Sequence, residues 1–156
     1  MTPRLVVILF GPPAAGKTTV ARSLGLEVYD RDDAQWAGLG EREFRAAIDR
    51  LHDVPGARAV IIRRGATRSA RSRTITSVAA THAFVMATPE KVCMERASAR
   101  GRDFRRERGA IHEWWLRWDR GTDVPLWTGS WRPPIEELPD GTDAPALLGA
   151  PSRVWL

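Results

Sequence analysis

The feature that constrains this chain most is an eight-residue segment that directly follows an apolar run. Residues 5–10 have the sequence LVVILF, which is typical of a strand buried on both faces of a sheet. Residues 11–18, GPPAAGKT, then match the pattern G-x-x-x-x-G-K-[ST]. A helix is expected over residues 18–24. Strand, glycine-containing loop and helix in this order indicate an α/β protein.

Each residue type in this loop has a chemical use. Glycines let backbone N–H groups close around phosphate oxygens, Lys17 reaches the β and γ phosphates, and the Thr18 hydroxyl ligates magnesium. Lys17 is also one of only two lysines in a chain with 22 arginines. We therefore predict that the loop binds ATP, or another nucleoside triphosphate, together with Mg²⁺. The predicted nucleotide contacts are Gly11, Pro12, Ala14, Ala15, Gly16, Lys17, Thr18 and Thr19.

The rest of the chain repeats the alternation of strands and helices. Its 156 residues suit one domain. Strands are predicted at 27–30, 59–62 and 82–87, and helices at 41–51, 69–80, 90–99 and 110–119, with Thr88 and Pro89 starting the third of these helices. This pattern predicts a four- or five-stranded parallel sheet with helices on both faces. Residues 1–132 form the predicted domain, and the proline-rich segment 133–156 is predicted to pack on it as a tail.

Composition excludes several classes of protein. No apolar run approaches the roughly 20 residues that a bilayer requires, so no membrane association is expected. The single cysteine, Cys93, cannot form an internal disulfide, and the three histidines are far apart in the sequence, which argues against a zinc site. The apolar start is too short for a secretory signal, and a cytoplasmic protein is expected.

Motifs elsewhere narrow the class of nucleotide-binding protein. There is no N-K-x-D sequence to read guanine, which excludes a GTPase, and the third strand ends in Arg63-Arg64 rather than in the acid of a motor ATPase. The small kinases remain, in which a carboxylate after the second strand accepts the proton of the acceptor hydroxyl. Asp30, Asp32 and Asp33 are placed for that task. The sequence therefore predicts a P-loop kinase fold.

Three segments carry a resemblance to a known family. The loop GPPAAGKTT, the tetrad DRDD at residues 30–33 and the sequence RASARG at residues 96–101 resemble motifs of phage-type polynucleotide kinases. The resemblance implies that Asp32 is the general base and a metal-site residue together with Thr18, and that Arg100 binds ATP phosphates. Arg96 and Arg100 are four residues apart on one helix face, beside an arginine-rich lid expected at about 100–109, where they would clamp the phosphoryl group.

The predicted acceptor side departs from that family. Its members carry an arginine three residues after the base and an acid after the third strand, whereas this chain has Gln35 and the pair Arg63-Arg64. We expect Arg63 or Arg64 to supply the cation lost at Gln35. Trp36 is placed to stack on a base, and Asp33 completes the predicted acceptor site.

The charge of the chain agrees with an anionic partner. The net charge is +5 and the sequence pI is about 10.5. The resemblance implies a nucleic-acid acceptor, DNA being favoured, through a 5′-hydroxyl or a hydroxymethyl group on a modified base, and a host-cytoplasmic location if the protein is phage-encoded. Two alternatives stay open: a kinase of a small molecule such as a nucleoside, sugar or drug, and a nucleotide-binding module without catalysis.

Overall fold

A parallel sheet forms the centre of the molecule. The computed structural model describes residues 3–101 and 103–134. Its strands are β1 (Leu5–Phe10), β2 (Glu27–Tyr29), β3 (Arg58–Arg63) and β4 (His82–Val85). They lie in the order β2-β3-β1-β4, and every pair is parallel. The predicted α/β class and parallel sheet are confirmed.

Helices follow the strands closely as the sequence predicted. They are α1 (Lys17–Ser23), α2 (Glu41–Asp49), α3 (Arg68–Val78), α4 (Glu90–Arg100) and α5 (Phe104–Arg117), with 3₁₀ turns at Ala34–Trp36 and Arg50–Asp53. The prediction for Thr88 is wrong, because its hydroxyl donates to the Ala15 carbonyl instead of capping α4. The prediction that the last helix begins at residue 110 is also wrong. Asp103 caps the helix from Phe104, so residues 104–109 of the expected lid are helical.

The two faces of β1 contribute to two separate apolar clusters. Val6, Ile8 and Phe10 pack on one face with residues of α2, α3 and α5, such as Phe44 on α2. Leu5, Val7 and Leu9 pack on the other face with residues of α1, α4 and α5. All six β1 side chains are at most 3% exposed. This double burial explains the unbroken apolar run in the sequence.

The chain after α5 returns to the sheet. Leu126 forms a parallel bridge with Val85 at the outer edge of β4. Trp127 and Trp131 contact the ring of Phe84, with centroids 5.2 and 5.3 Å away. These tryptophans anchor the segment to the domain. The predicted tail lies almost entirely outside the described residues. Within the described ranges, no helix combines the length and apolar composition needed to cross a bilayer.

Candidate active site

A large cavity lies at the carboxyl edge of the sheet, where parallel strands place their following loops together. Its volume is about 1310 Å³. It is lined by loop residues 13–19, residues 30–32, the end of β3 and the facing sides of α2, α3 and α4. Pockets for one small ligand are roughly 300–1,000 Å³. The cavity therefore has room for two ligands side by side.

The loop after β1 forms one wall of the cavity. Ala14 and Gly16 have φ angles of 63° and 98°, and these left-handed residues turn the chain into α1. A Cβ atom on Gly16 would lie 3.2 Å from Nη1 of Arg96, so a side chain has little room there. Gly11 and Pro12 are buried behind the wall, while Ala14, Ala15, Gly16, Lys17, Thr18 and Thr19 line it. Most of the predicted nucleotide contacts therefore share one surface.

Lys17 is the buried cation of this wall. It is 8% exposed, and its Nζ donates to the Gly11 carbonyl at 2.5 Å. Burial and the nearby Arg64 guanidinium lower the pKa of Lys17 to about 7, against the opposing effect of Asp30 and Asp32. A bound polyphosphate would place negative charge beside this ammonium group. The geometry thus fits the predicted role of Lys17 in binding phosphate.

Asp30 and Thr18 provide oxygen atoms suited to magnesium. The Thr18 hydroxyl donates to Oδ2 of Asp30 at 2.8 Å, and Asp30 is 7% exposed. Mg²⁺ is usually held by one or two protein oxygens together with waters and phosphates. The residues present therefore fit this ion. The motif resemblance implies Asp32 as the metal-site carboxylate, whereas Asp30 is the carboxylate hydrogen-bonded to Thr18, so the geometry favours Asp30 for that position.

Asp32 has a different environment from Asp30. Its backbone N–H donates to Oδ1 of Asp30 at 3.1 Å, which fixes the turn after β2. Its side chain is exposed and lines the cavity. Within the described parts of the chain, this carboxylate forms no hydrogen bond or ion pair. It is therefore free to accept a proton from a bound hydroxyl, as the sequence predicted for the general base.

Three predicted acceptor residues lie outside the cavity. Asp33 faces Arg22 of α1, with 3.9 Å between the charged atoms. Gln35 is exposed in the following 3₁₀ turn. The Trp36 ring packs edge-on against Phe44 at 5.0 Å, because the apolar core of α2 lies directly below it. None of these three side chains lines the cavity.

Arg63, the last residue of β3, and Arg64 both line the cavity. Arg63 forms an ion pair with Glu41, and its guanidinium lies 5.4 Å from the Phe44 ring centre. Arg31 and Arg45 approach the same Glu41 carboxylate at 3.8 and 3.7 Å. These contacts lower the pKa of Glu41 despite its partial burial. Glu41 is therefore an anionic centre shared by three arginines.

The two arginines of α4 reach the loop and the start of α5. Arg96 donates to the carbonyls of Ala15 and Ala14 at 3.0 and 3.4 Å, so it holds the loop. Arg100 forms an ion pair with Glu107. Both arginines line the cavity, as their spacing predicted. This ion pair uses Nη2 of Arg100, and the other N–H groups of the guanidinium can bind phosphate.

Comparison with known proteins addresses the fold. Neither a protein-family model nor a curated protein sequence matches this chain. A gluconokinase from Sinorhizobium meliloti 1021 superposes with a TM-score of 0.51 at 16% identity, over 81% of this chain and 82% of that chain. A shikimate kinase from Acinetobacter baumannii, in complex with shikimate, gives a TM-score of 0.50 at 18% identity, over 82% and 86%. The chain has the P-loop kinase fold. The resemblance to polynucleotide kinases stays a prediction.

One residue important to this P-loop kinase fold was missed by the sequence analysis. Arg71 of α3 is fully buried, although the sequence shows it only as one member of a basic stretch, residues 58–73, which holds six arginines and no acid. Its guanidinium donates to the carbonyls of Gly65 and Ala66 at 2.9 and 3.1 Å, and to the carboxylates of Asp119 and Asp123. Arg71 thereby fixes the loop between β3 and α3. Only the distant acids at 119 and 123 reveal this role.

Proposed function

We propose that this protein is a kinase that transfers the γ-phosphoryl group of ATP, or of another nucleoside triphosphate, to the hydroxyl of a second substrate. One observation carries the proposal. A buried lysine, the Thr18–Asp30 pair and the free carboxylate of Asp32 all lie in one cavity that is large enough for two ligands. The first two features suit a triphosphate with its metal, and the third suits an acceptor hydroxyl.

Each residue has a distinct part in this reaction. Lys17 and the loop amides hold the phosphates, while Thr18 and Asp30 would hold the metal. Magnesium, when bound, neutralises charge on the β and γ phosphates. Asp32 accepts the proton as the hydroxyl oxygen attacks the γ-phosphorus, and the bond from that phosphorus to the bridging oxygen breaks to release ADP or the corresponding nucleoside diphosphate. Arg96 keeps the loop in place, and Arg100 neutralises charge on the transferred group.

The acceptor is the open part of the proposal. The neighbours in fold are named as a gluconokinase and a shikimate kinase, which supports a small hydroxylated molecule. A hydroxyl on nucleic acid is the second candidate. It is supported by the arginines along the acceptor side of the cavity and by the motif resemblance described above. Salt separates the two, because only a polyanion releases many counterions on binding and shows a KM that rises steeply with salt.

Transfer from labelled ATP to a panel of acceptors tests the proposal. The panel contains hydroxy acids, sugars, nucleosides, 5′-hydroxyl single strands and duplexes, and DNA with hydroxymethyl bases. Asp32→Asn should lower kcat by about 10²–10⁴-fold without weakening ATP binding. Asp33→Asn is the matched control, because that carboxylate lies outside the cavity, and it should retain the wild-type rate.

Two results would contradict this scheme. Full activity of Asp32→Asn would remove the assignment of the base. If the wild-type protein binds ATP with Mg²⁺ but phosphorylates no member of the panel, a nucleotide-binding module without catalysis becomes the better interpretation.

A further inference from the structure

The cavity continues beyond the phosphate-binding loop as a groove between α2 and α3. Its α2 side presents Arg45 and Asp49, one helical turn apart. Its α3 side presents Arg73, Thr74 and Ser77, and Ser77 is four and three residues after the other two, one helical turn farther along the same side. The α3 residues that line the cavity lie between positions 70 and 77, which is a length of about 10 Å at 1.5 Å per residue. We call this part of the cavity the α2–α3 groove.

Arginines outnumber carboxylates on the acceptor side of the cavity. The arginines at positions 31, 45, 63, 64 and 73 line it, together with the carboxylates of Asp30, Asp32, Glu41 and Asp49. Three of these arginines share Glu41, as described above. Arg64 and Arg73 are exposed, and neither guanidinium has a hydrogen bond or ion pair within residues 3–101 and 103–134. Two cations in the cavity are therefore available for a ligand.

We propose that the α2–α3 groove is the acceptor site, and that the acceptor carries an acidic group, a phosphate or a carboxylate, bound by Arg64 and Arg73. The inference rests on the proposed kinase function. Guanidinium groups bind both anions through paired N–H donors. Arg64 follows the end of β3 and acts electrostatically on Lys17, whereas Arg73 lies farther along α3. The acidic group would thus lie in the groove while the hydroxyl reaches Asp32.

The structure changes the role expected of the arginine pair. The sequence left open whether Arg63 or Arg64 replaces the cation missing at Gln35. Because Arg63 is engaged by Glu41, Arg64 is the one available, and Arg73 joins it from the next helix. Arg73 carried no signal in the sequence beyond its place in a basic stretch.

Matched acceptors that differ in one acidic group test the inference. One pair is thymidine 3′-monophosphate and thymidine, and the other is gluconate and the open-chain neutral polyol glucitol. A 5′-hydroxyl (dT)₁₀ distinguishes a nucleic-acid source of the phosphate from a small-molecule source. For the acidic member that reacts, Arg73→Gln and Arg64→Gln should each raise the acceptor KM about tenfold or more. The KM for ATP should stay within about twofold for Arg73→Gln. Arg42→Gln, an exposed α2 arginine outside the cavity, is the control and should leave both constants unchanged.

A binding measurement keeps this test independent of turnover. The acidic acceptor, added without nucleotide, should raise the midpoint of thermal unfolding of the wild-type protein and of Arg42→Gln, but not of Arg73→Gln. Equal KM values for acidic and neutral acceptors, or an unchanged acceptor KM in both Arg64→Gln and Arg73→Gln, would overturn the inference while leaving the kinase function intact. If the wild-type protein neither binds ATP nor transfers its phosphoryl group to any acceptor, the kinase function is overturned instead.

Discussion

Replacement of Arg71 by methionine should destabilise the protein far more than the loss of an exposed arginine. The buried guanidinium makes six hydrogen bonds, to the carboxylates of Asp119 and Asp123 and to the carbonyls of Gly65, Ala66 and Asp119. Methionine fills much of the same volume but donates no hydrogen bond. The variant would therefore leave three carbonyls and the largely buried Asp123 carboxylate without these partners.

The size of the effect follows from this environment. Removal of one partner from a buried ion pair costs about 3–5 kcal/mol. Water reaches Asp119, whose side chain is 51% exposed, so we expect the lower part of that range. For a domain of this size, each kcal/mol lowers the unfolding midpoint by about 2–4 °C. The midpoint of Arg71→Met should therefore fall by roughly 6–12 °C.

Thermal unfolding measures this midpoint and urea unfolding measures the free energy. Both are followed by tryptophan fluorescence, because the Arg71 guanidinium lies 5.1 Å from the Trp118 ring centre. Arg117→Met is the control, since its exposed pair with Glu113 at 3.3 Å should contribute only about 0.3–0.5 kcal/mol. If Arg71→Met loses less than about 1 kcal/mol, the reasoning is refuted.

The same arginine gives the stability a pH dependence. Hydrogen bonds from Arg71 hold the pKa of Asp123 below its usual value, against the opposing effect of burial. A carboxyl with a lowered folded-state pKa contributes stability above its unfolded pKa of about 3.9, and that stability is lost as the pH falls through the folded value. The difference in the free energy of unfolding between wild type and Arg71→Met, measured by urea unfolding at a series of pH values, should therefore shrink below pH 4.

Three further results are expected. Gly65→Ala should lower the free energy of unfolding in urea by about 1–3 kcal/mol, because its Cβ would lie 2.2 Å from the Phe10 ring. Gly38→Ala, also at positive φ but with no atom within 4 Å of its Cβ, should lower it less. Equal losses in the two variants would contradict the role of the Phe10 contact and leave backbone strain as the cause. ATP binding at pH 8 should take up close to one proton, since phosphate favours the ammonium form of Lys17, whose pKa without ATP is about 7. ATP affinity should therefore fall as the pH rises above 7. Calorimetry that finds no proton uptake would contradict the assignment of Lys17 as a phosphate-binding residue. Trp36→Phe should leave the acceptor KM unchanged, because the indole packs in the core and its buried Nε1 has no hydrogen-bond partner within the described residues; a large rise in KM would return Trp36 to the acceptor site.

Local patterns in the sequence predicted the features that local geometry controls. The apolar run of β1 is long enough to be a strand and has no polar alternation, so its double burial could be expected. The loop from Gly11 to Thr18 has a spacing that few backbone arrangements satisfy. The apolar pattern does not predict where a helix begins when a capping side chain decides it. The carboxylate of Asp103 starts α5 six residues before the position that the pattern indicates.

The partners of charged side chains were decided by tertiary structure alone. Asp30, Asp32 and Asp33 all follow β2 within four residues, but the turn there pairs Asp30 with Thr18, leaves the Asp32 carboxylate without a partner among the described residues and turns Asp33 toward Arg22 of α1. Arg63 and Arg64 likewise separate because Glu41, 22 residues earlier than Arg63, lies within reach of only one of them. Periodicity describes backbone and burial over a few residues, whereas an ion pair depends on which distant groups packing brings within about 4 Å. The sequence by itself therefore determined the sheet and the phosphate-binding loop, and the packed structure determined which of these acids and arginines are paired within the described residues.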